Sequence, residues 1–165
     1  MIEELLGTNC TEKPRKDKLF GICDDQDGEK AYSHNATPEN WIAIVVNNNE
    51  ELVTFTAIDN CIIVFKPGTK DEESTCDGVL TWNDSIYLVE LKIQATGGWL
   101  PKSIEQLENT IKLISPEFLK NFKYKKAYAC NRKHPNFTTI DNELNKRFFR
   151  DYGFRIDAQR EISIK

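Results

Sequence analysis

Alternating and continuous apolar runs divide this chain into short strands first and helices later. Leu19-Phe20-Gly21-Ile22-Cys23 and Lys30-Ala31-Tyr32 flank the polar stretch Asp24 to Glu29, which predicts a hairpin with an acidic turn. Trp41 to Val46 and Leu52 to Ile58 are rich in β-branched and aromatic residues and are separated by Asn47-Asn48-Asn49-Glu50-Glu51. That pattern predicts a second hairpin. Cys61 to Phe65 reads as another short strand. Val79 to Trp82 and Ser85 to Lys92 flank Asn83-Asp84, two residues that tolerate the left-handed backbone of a tight turn.

Beyond Lys92 the period changes. Ile104, Leu107, Ile111 and Ile114 recur at helical spacing, which predicts a helix from Pro101 to Ile114, stopped by Ser115-Pro116. Ser103, Gln106 and Thr110 lie along one flank of that stripe, a position from which they can look across the sheet towards the hairpin end. Tyr124 to Asn131 reads as a strand and Arg132-Lys133-His134-Pro135 as a loop. A helix from about Asp141 to Tyr152 carries Leu144 and Phe148 on one side and stops at Gly153. A last strand starts at Phe154 and continues by alternation to Ile164. Residues 8–18 read as a loop after a short first helix. The order predicts an α/β fold in one domain, residues 1–165, with a β-rich N-terminal extension over 1–65 and a core over 66–165.

Composition adds limits. Hydrophobic content of 39% and charged content of 29% suit a soluble globular chain. No apolar run is long enough to cross a bilayer, and Met1 to Gly7 lacks the pattern of a signal peptide, so a cytoplasmic location and no membrane partner are expected. The five cysteines include no Cys-x-x-Cys pair, which argues against a zinc ribbon, and most of them read as small buried hydrophobes. Residues 1–100 carry 8 Lys+Arg against 18 Asp+Glu, and residues 101–165 carry 14 against 8. A basic C-terminal half suits a polyanion, although solvated helix faces give the same count. The acidic Asp24 to Glu29 stretch does not match a calcium loop and reads as a solvated turn.

The candidate chemistry lies at the open end of the Asn83-Asp84 hairpin. With those two residues as the turn, Trp82 faces Ser85, Leu80 faces Tyr87, and Asp77 falls opposite Glu90 on one sheet face. Lys92, two residues beyond Glu90, points the same way. A three-residue turn would slip the register and separate the groups. Two adjacent carboxylates repel unless something positive sits between them. A divalent cation with oxygen ligands, such as Mg²⁺, meets that need, with Asp77 and Glu90 as ligands and the Leu91 carbonyl completing the set; Lys92 then either orients or deprotonates a metal-bound water or stabilises charge at a phosphorus centre. A plain antiparallel pair with a Lys92 salt bridge is the bland alternative. Glu90-Leu91-Lys92 is the only acidic-x-Lys in the chain.

Asp77, the short hairpin, Glu90-Leu91-Lys92, the helix with Gln106, then strand, helix and strand resemble the PD-(D/E)xK nuclease superfamily. The resemblance covers roughly residues 60–165. It implies a restriction endonuclease-like core, a mixed central sheet flanked by helices. It implies a metal-dependent nuclease acting on DNA, or on RNA with the same site, within a restriction or defence system. By resemblance Asp77 and Glu90 bind Mg²⁺ or Mn²⁺, Lys92 is the catalytic lysine and Gln106 its supporting glutamine. Cys76 stands where many members carry proline, and Thr110 stands where RecB-type members carry tyrosine. Lys102 and Ser103 at the helix start, Trp99 as a stacking surface, and Arg132 and Lys133 at a strand end are the candidate substrate contacts. Duplex cleavage by a small nuclease suggests a homodimer or a partner subunit. The alternative function is a non-catalytic module of the same fold, binding nucleic acid or a partner protein, immunity- or antitoxin-like.

Overall fold

The computed structural model describes residues 1–165. Two mixed sheets stack face to face, and helices cover the outer face of the larger one. The strands are β1 (Leu19–Cys23), β2 (Tyr32–His34), β3 (Ala43–Val46), β4 (Thr54–Ala57), β5 (Gly78–Trp82), β6 (Ser85–Lys92), β7 (Tyr124–Asn131), β8 (Arg155–Ala158) and β9 (Glu161–Ser163). The helices are α1 (Trp99–Leu113), α2 (Pro116–Leu119) and α3 (Asn142–Tyr152), with a single 3₁₀ turn at Pro38–Asn40.

The larger sheet has the order β4-β5-β6-β7-β8 and the smaller one β2-β1-β3-β9. β4, β5 and β6 are antiparallel, and β7 and β8 join parallel to β6. Crossovers through α1 and α3 make the parallel half possible, since parallel neighbours need a long connection. Leu107, Ile111 and Phe148 from the helices pack on Val79, Ile86, Leu88 and Ala127. On the other face Leu80, Tyr87 and Val89 pack on Phe20, Ile22 and Val45 of the smaller sheet. β5 and β6 are therefore buried on both faces, which is why their apolar run is continuous rather than alternating.

The predicted hairpin register is observed. Trp82 pairs with Ser85, Leu80 with Tyr87 and Gly78 with Val89. Asn83 supplies the turn with φ of 47°. The Asp84 carbonyl then accepts the Lys123 and Tyr124 N–H groups, which fixes where β7 begins. α3 starts at its Asp141 cap and ends at Gly153, φ 73°, as its sequence predicts. The β1–β2 hairpin also forms.

Other expectations are corrected. Trp41–Val46 and Leu52–Ile58 do not form a hairpin: β3 pairs with β1 and β9, while β4 pairs with β5 in the other sheet. The turn between them is organised by buried Asn47, whose side chain bonds Glu51 at both ends and the Asp17 carbonyl. Cys61–Phe65 forms no strand; Phe65 makes only an isolated bridge to Glu72. No helix opens the chain, and Ile2 instead bridges Ile114. The final run is two strands, β8 in the larger sheet and β9 in the smaller. The sheets therefore do not divide at residue 65: β4 belongs with the core strands and β9 with the N-terminal ones. No helix is long and apolar enough to cross a membrane.

Cys10 and Cys61 are joined in a disulfide, and the other three cysteines are buried thiols. Most of the five are thus buried thiols as expected, and the Cys10–Cys61 cross-link is the departure. The segment after Cys10 runs along β4, with Glu12 N–H donating to Phe55 and Ala57 N–H to Cys10. This brings Cys10 beside the end of β4, where Cys61 lies. Disulfides persist in oxidising compartments, so in a cytoplasmic setting this pair would be held reduced.

Candidate functional site

The site forms where β5 and β6 separate. Asp77 precedes β5 and Glu90 lies opposite it, one pair beyond Gly78 and Val89. Only a glycine fits at 78, because a Cβ there would stand 2.4 Å from the Phe55 ring and 2.7 Å from the Thr56 carbonyl. That close approach lets β4 lie against β5 right beside Asp77. Asp77 lies beyond the last β5–β6 pair. Its Oδ2 accepts the Leu91 N–H at 2.7 Å, tying the carboxylate to the strand that carries Glu90 and Lys92.

Glu90 is 2% exposed and Asp77 6%. Lys92 Nζ lies 3.1 Å from Glu90 Oε1 and donates to Gln106 Oε1 on α1 at 2.9 Å. The Gln106 amide nitrogen reaches the Thr75 carbonyl at 3.5 Å. Glu90 Oε2 is buried and has no hydrogen-bond partner. Leaving such an oxygen unpaired costs roughly 1–3 kcal/mol, more when it is charged. A lone lysine therefore does not satisfy the pair.

Burial pushes the Asp77 carboxyl up to about 7, against the Leu91 hydrogen bond and the Lys92 charge, with Asp24 and Asp59 adding to the rise. Burial also raises Glu90 well above the ordinary range, reinforced by Asp77 and opposed by Lys92. Two carboxyls held up together are disposed to exchange protons for a cation. No three His, Cys, Asp or Glu side chains are closed into a metal-holding group. The orphaned Glu90 Oε2 and the all-oxygen donor set fit Mg²⁺ or Mn²⁺.

The site opens into a cleft of about 360 Å³ lined by Asp24, Gln26, Asp59, Asp77, Glu90, Leu91, Lys92, Ile93, Gln94 and Gln106. The four predicted catalytic residues thus come together. Leu91 lines the cleft as well, and its N–H is the group engaged by Asp77.

The predicted substrate contacts are placed differently. Ser103 is fully buried and its hydroxyl donates to the Trp99 carbonyl. Trp99 is 7% exposed and stacks on His134 at 5.5 Å, so its ring packs within the protein. Lys102 and Lys133 are exposed and do not line the cleft. Arg132 donates to the Glu39 carbonyl and lines an adjoining hollow with Asp24, Gln26 and Ile93.

Two acids of the cleft went unread in the sequence, and Thr110, marked there only by its place on the flank of α1, has a definite structural role. Asp24, at the start of the exposed acidic turn, and Asp59 both line the cleft. Thr110 holds the strand entry: its Oγ1 accepts the Cys76 N–H at 2.7 Å and donates to the Gln106 carbonyl at 2.8 Å. The four-residue spacing of Gln106 and Thr110 on the hairpin side of α1 was the available signal. No family model, curated protein or solved structure matches this chain.

Proposed function

We propose that the protein is a divalent-cation-dependent nuclease hydrolysing phosphodiester bonds in DNA, with Asp77, Glu90 and Lys92 at its centre. The observation that carries this reading is the buried Asp77/Glu90 pair with the unpartnered Glu90 Oε2, flanked by a lysine held between Glu90 and Gln106. The order β5–β6 hairpin, α1, β7, α3, β8 supports a restriction endonuclease-like core.

Asp77 and Glu90 would hold Mg²⁺ or Mn²⁺, which supplies Lewis-acid polarisation of the phosphoryl oxygen and a lowered water pKa. The Leu91 N–H ties the Asp77 carboxylate to the strand that carries Glu90. Gln106 keeps the Lys92 ammonium at the cleft wall, where it donates to an oxygen of the phosphate as negative charge grows there. Water adds at phosphorus and one P–O ester bond breaks, leaving a phosphomonoester and an alcohol. Fixed donors of this kind need no reorganisation during the reaction.

The test is incubation of supercoiled plasmid and single-stranded DNA with Mg²⁺, Mn²⁺, or chelator. Nicking by the wild type with either cation, and none by Asp77→Asn, is expected. Absence of cleavage by the wild type, or equal cleavage by both proteins, overturns the reading.

A further inference from the structure

We propose that Asp59 is the third carboxylate of the cation site, standing at its mouth and acting on the cation through water. This rests on the reading of Asp77 and Glu90 as the pair that holds the cation.

The placement of Asp59 follows from backbone bonds. The β4–β5 ladder does not end at Ala57 and Gly78. The Ile58 N–H donates to the Asp77 carbonyl at 2.9 Å and the Asp59 N–H to the Cys76 carbonyl at 3.2 Å. Asp59 is thus fixed beside the residue that precedes Asp77. The chain then turns sharply at Asn60, φ 61°, and Cys61 is bonded to Cys10. Ladder, turn and disulfide together hold a half-buried acid on the wall of the Asp77/Glu90 cleft.

Charge balance gives that placement a purpose. When ionised, Asp59, Asp77 and Glu90 carry three negative charges against the one positive charge of Lys92, and a divalent cation offsets the remainder. The buried, unpartnered Glu90 Oε2 independently marks where positive charge is needed. Asp24 also lines the cleft, but its Oδ1 is engaged by the Gln26 N–H on an exposed turn. Mg²⁺ keeps several waters when bound by few carboxylates, so an acid at the mouth orients water, as outer-shell partners do in other metal sites.

Calorimetric titration of Mn²⁺ at pH 8 tests this with the wild type, Asp59→Asn, Asp59→Glu, Asp24→Asn and Asp77→Asn. Asp59→Asn is expected to weaken binding about 10–100-fold, with melting in chelator no lower than wild type. Asp59→Glu should recover part of the loss, and Asp24→Asn should change affinity by less than about threefold. Wild-type affinity in Asp59→Asn, or an equal loss in Asp24→Asn, overturns the role of Asp59 alone. A wild type that binds no Mn²⁺ overturns the underlying cation site as well.

Discussion

Lys92 Nζ donates to Gln106 Oε1 at 2.9 Å while standing 3.1 Å from Glu90 Oε1. The strand β6 supplies the charge and the helix α1 aims it. Glu90 and Lys92 share a face because they are two apart on a strand, and α1 crosses that face. Removing the aim without the charge should be a milder change than removing the charge. Gln106→Ala is expected to lower turnover about 10–100-fold, mostly in kcat, while Gln106→Glu should restore the contact to Lys92 and part of the rate. Steady-state kinetics on a short oligonucleotide reads the split.

Thr110 holds the entry to β5. Its hydroxyl is the acceptor for the buried Cys76 N–H, one residue before Asp77. Thr110→Val keeps the shape and strands that N–H, which costs about 1–3 kcal/mol. Urea denaturation should show the loss, and Thr110→Ser should retain most of the stability.

The carboxyl pair makes stability fall with pH. Burial holds Asp77 at about 7, above the ordinary aspartate value of 3.8, and Glu90 is raised as well. Between the unfolded and folded values the native state binds more protons than the unfolded chain, so stability declines as pH rises from about 4 through about 7, the Asp77 range. Mn²⁺ favours the ionised pair, so its stabilisation should grow over the same window. Thermal melts from pH 4 to 8, with and without Mn²⁺, measure both trends. Asp77→Asn should flatten them.

The disulfide between Cys10 and Cys61 closes a sequence separation of 51. Chain-entropy reasoning gives its loss a cost of about 4 kcal/mol. Cys61→Ser and Cys10→Ser should each lower the denaturation midpoint, and the double variant should be no worse than either. Equal midpoints for wild type with and without reductant would contradict this.

Legibility in the sequence followed the range of the interactions. The β5–β6 register needed only a two-residue turn, and Asp77, Glu90 and Lys92 came with it. Gln106 was legible because α1 follows the hairpin directly. α3 announced itself by Asp141 and Gly153. Strand partners across long separations were not legible. Alternation in Trp41–Val46 and Leu52–Ile58 marks strands but not the sheet each joins, so the split of β3 and β4 was missed. Asp59 was missed with it, because its place depends on β4 lying against β5. The Cys10–Cys61 pair depends on the N-terminal segment running along β4. Trp99 and Ser103 looked available at a helix start, yet packing against His134 and the helix backbone claims them.

The most direct measurement of the central claim separates cation binding from turnover in one variant. Lys92→Gln keeps an amide donor beside Glu90 while removing the charge, so Mn²⁺ affinity should stay within a few-fold of wild type. Cleavage of DNA by the same preparation should fall about 10²–10³-fold. Wild-type cleavage by Lys92→Gln would contradict the assignment of Asp77, Glu90 and Lys92 as a hydrolytic centre.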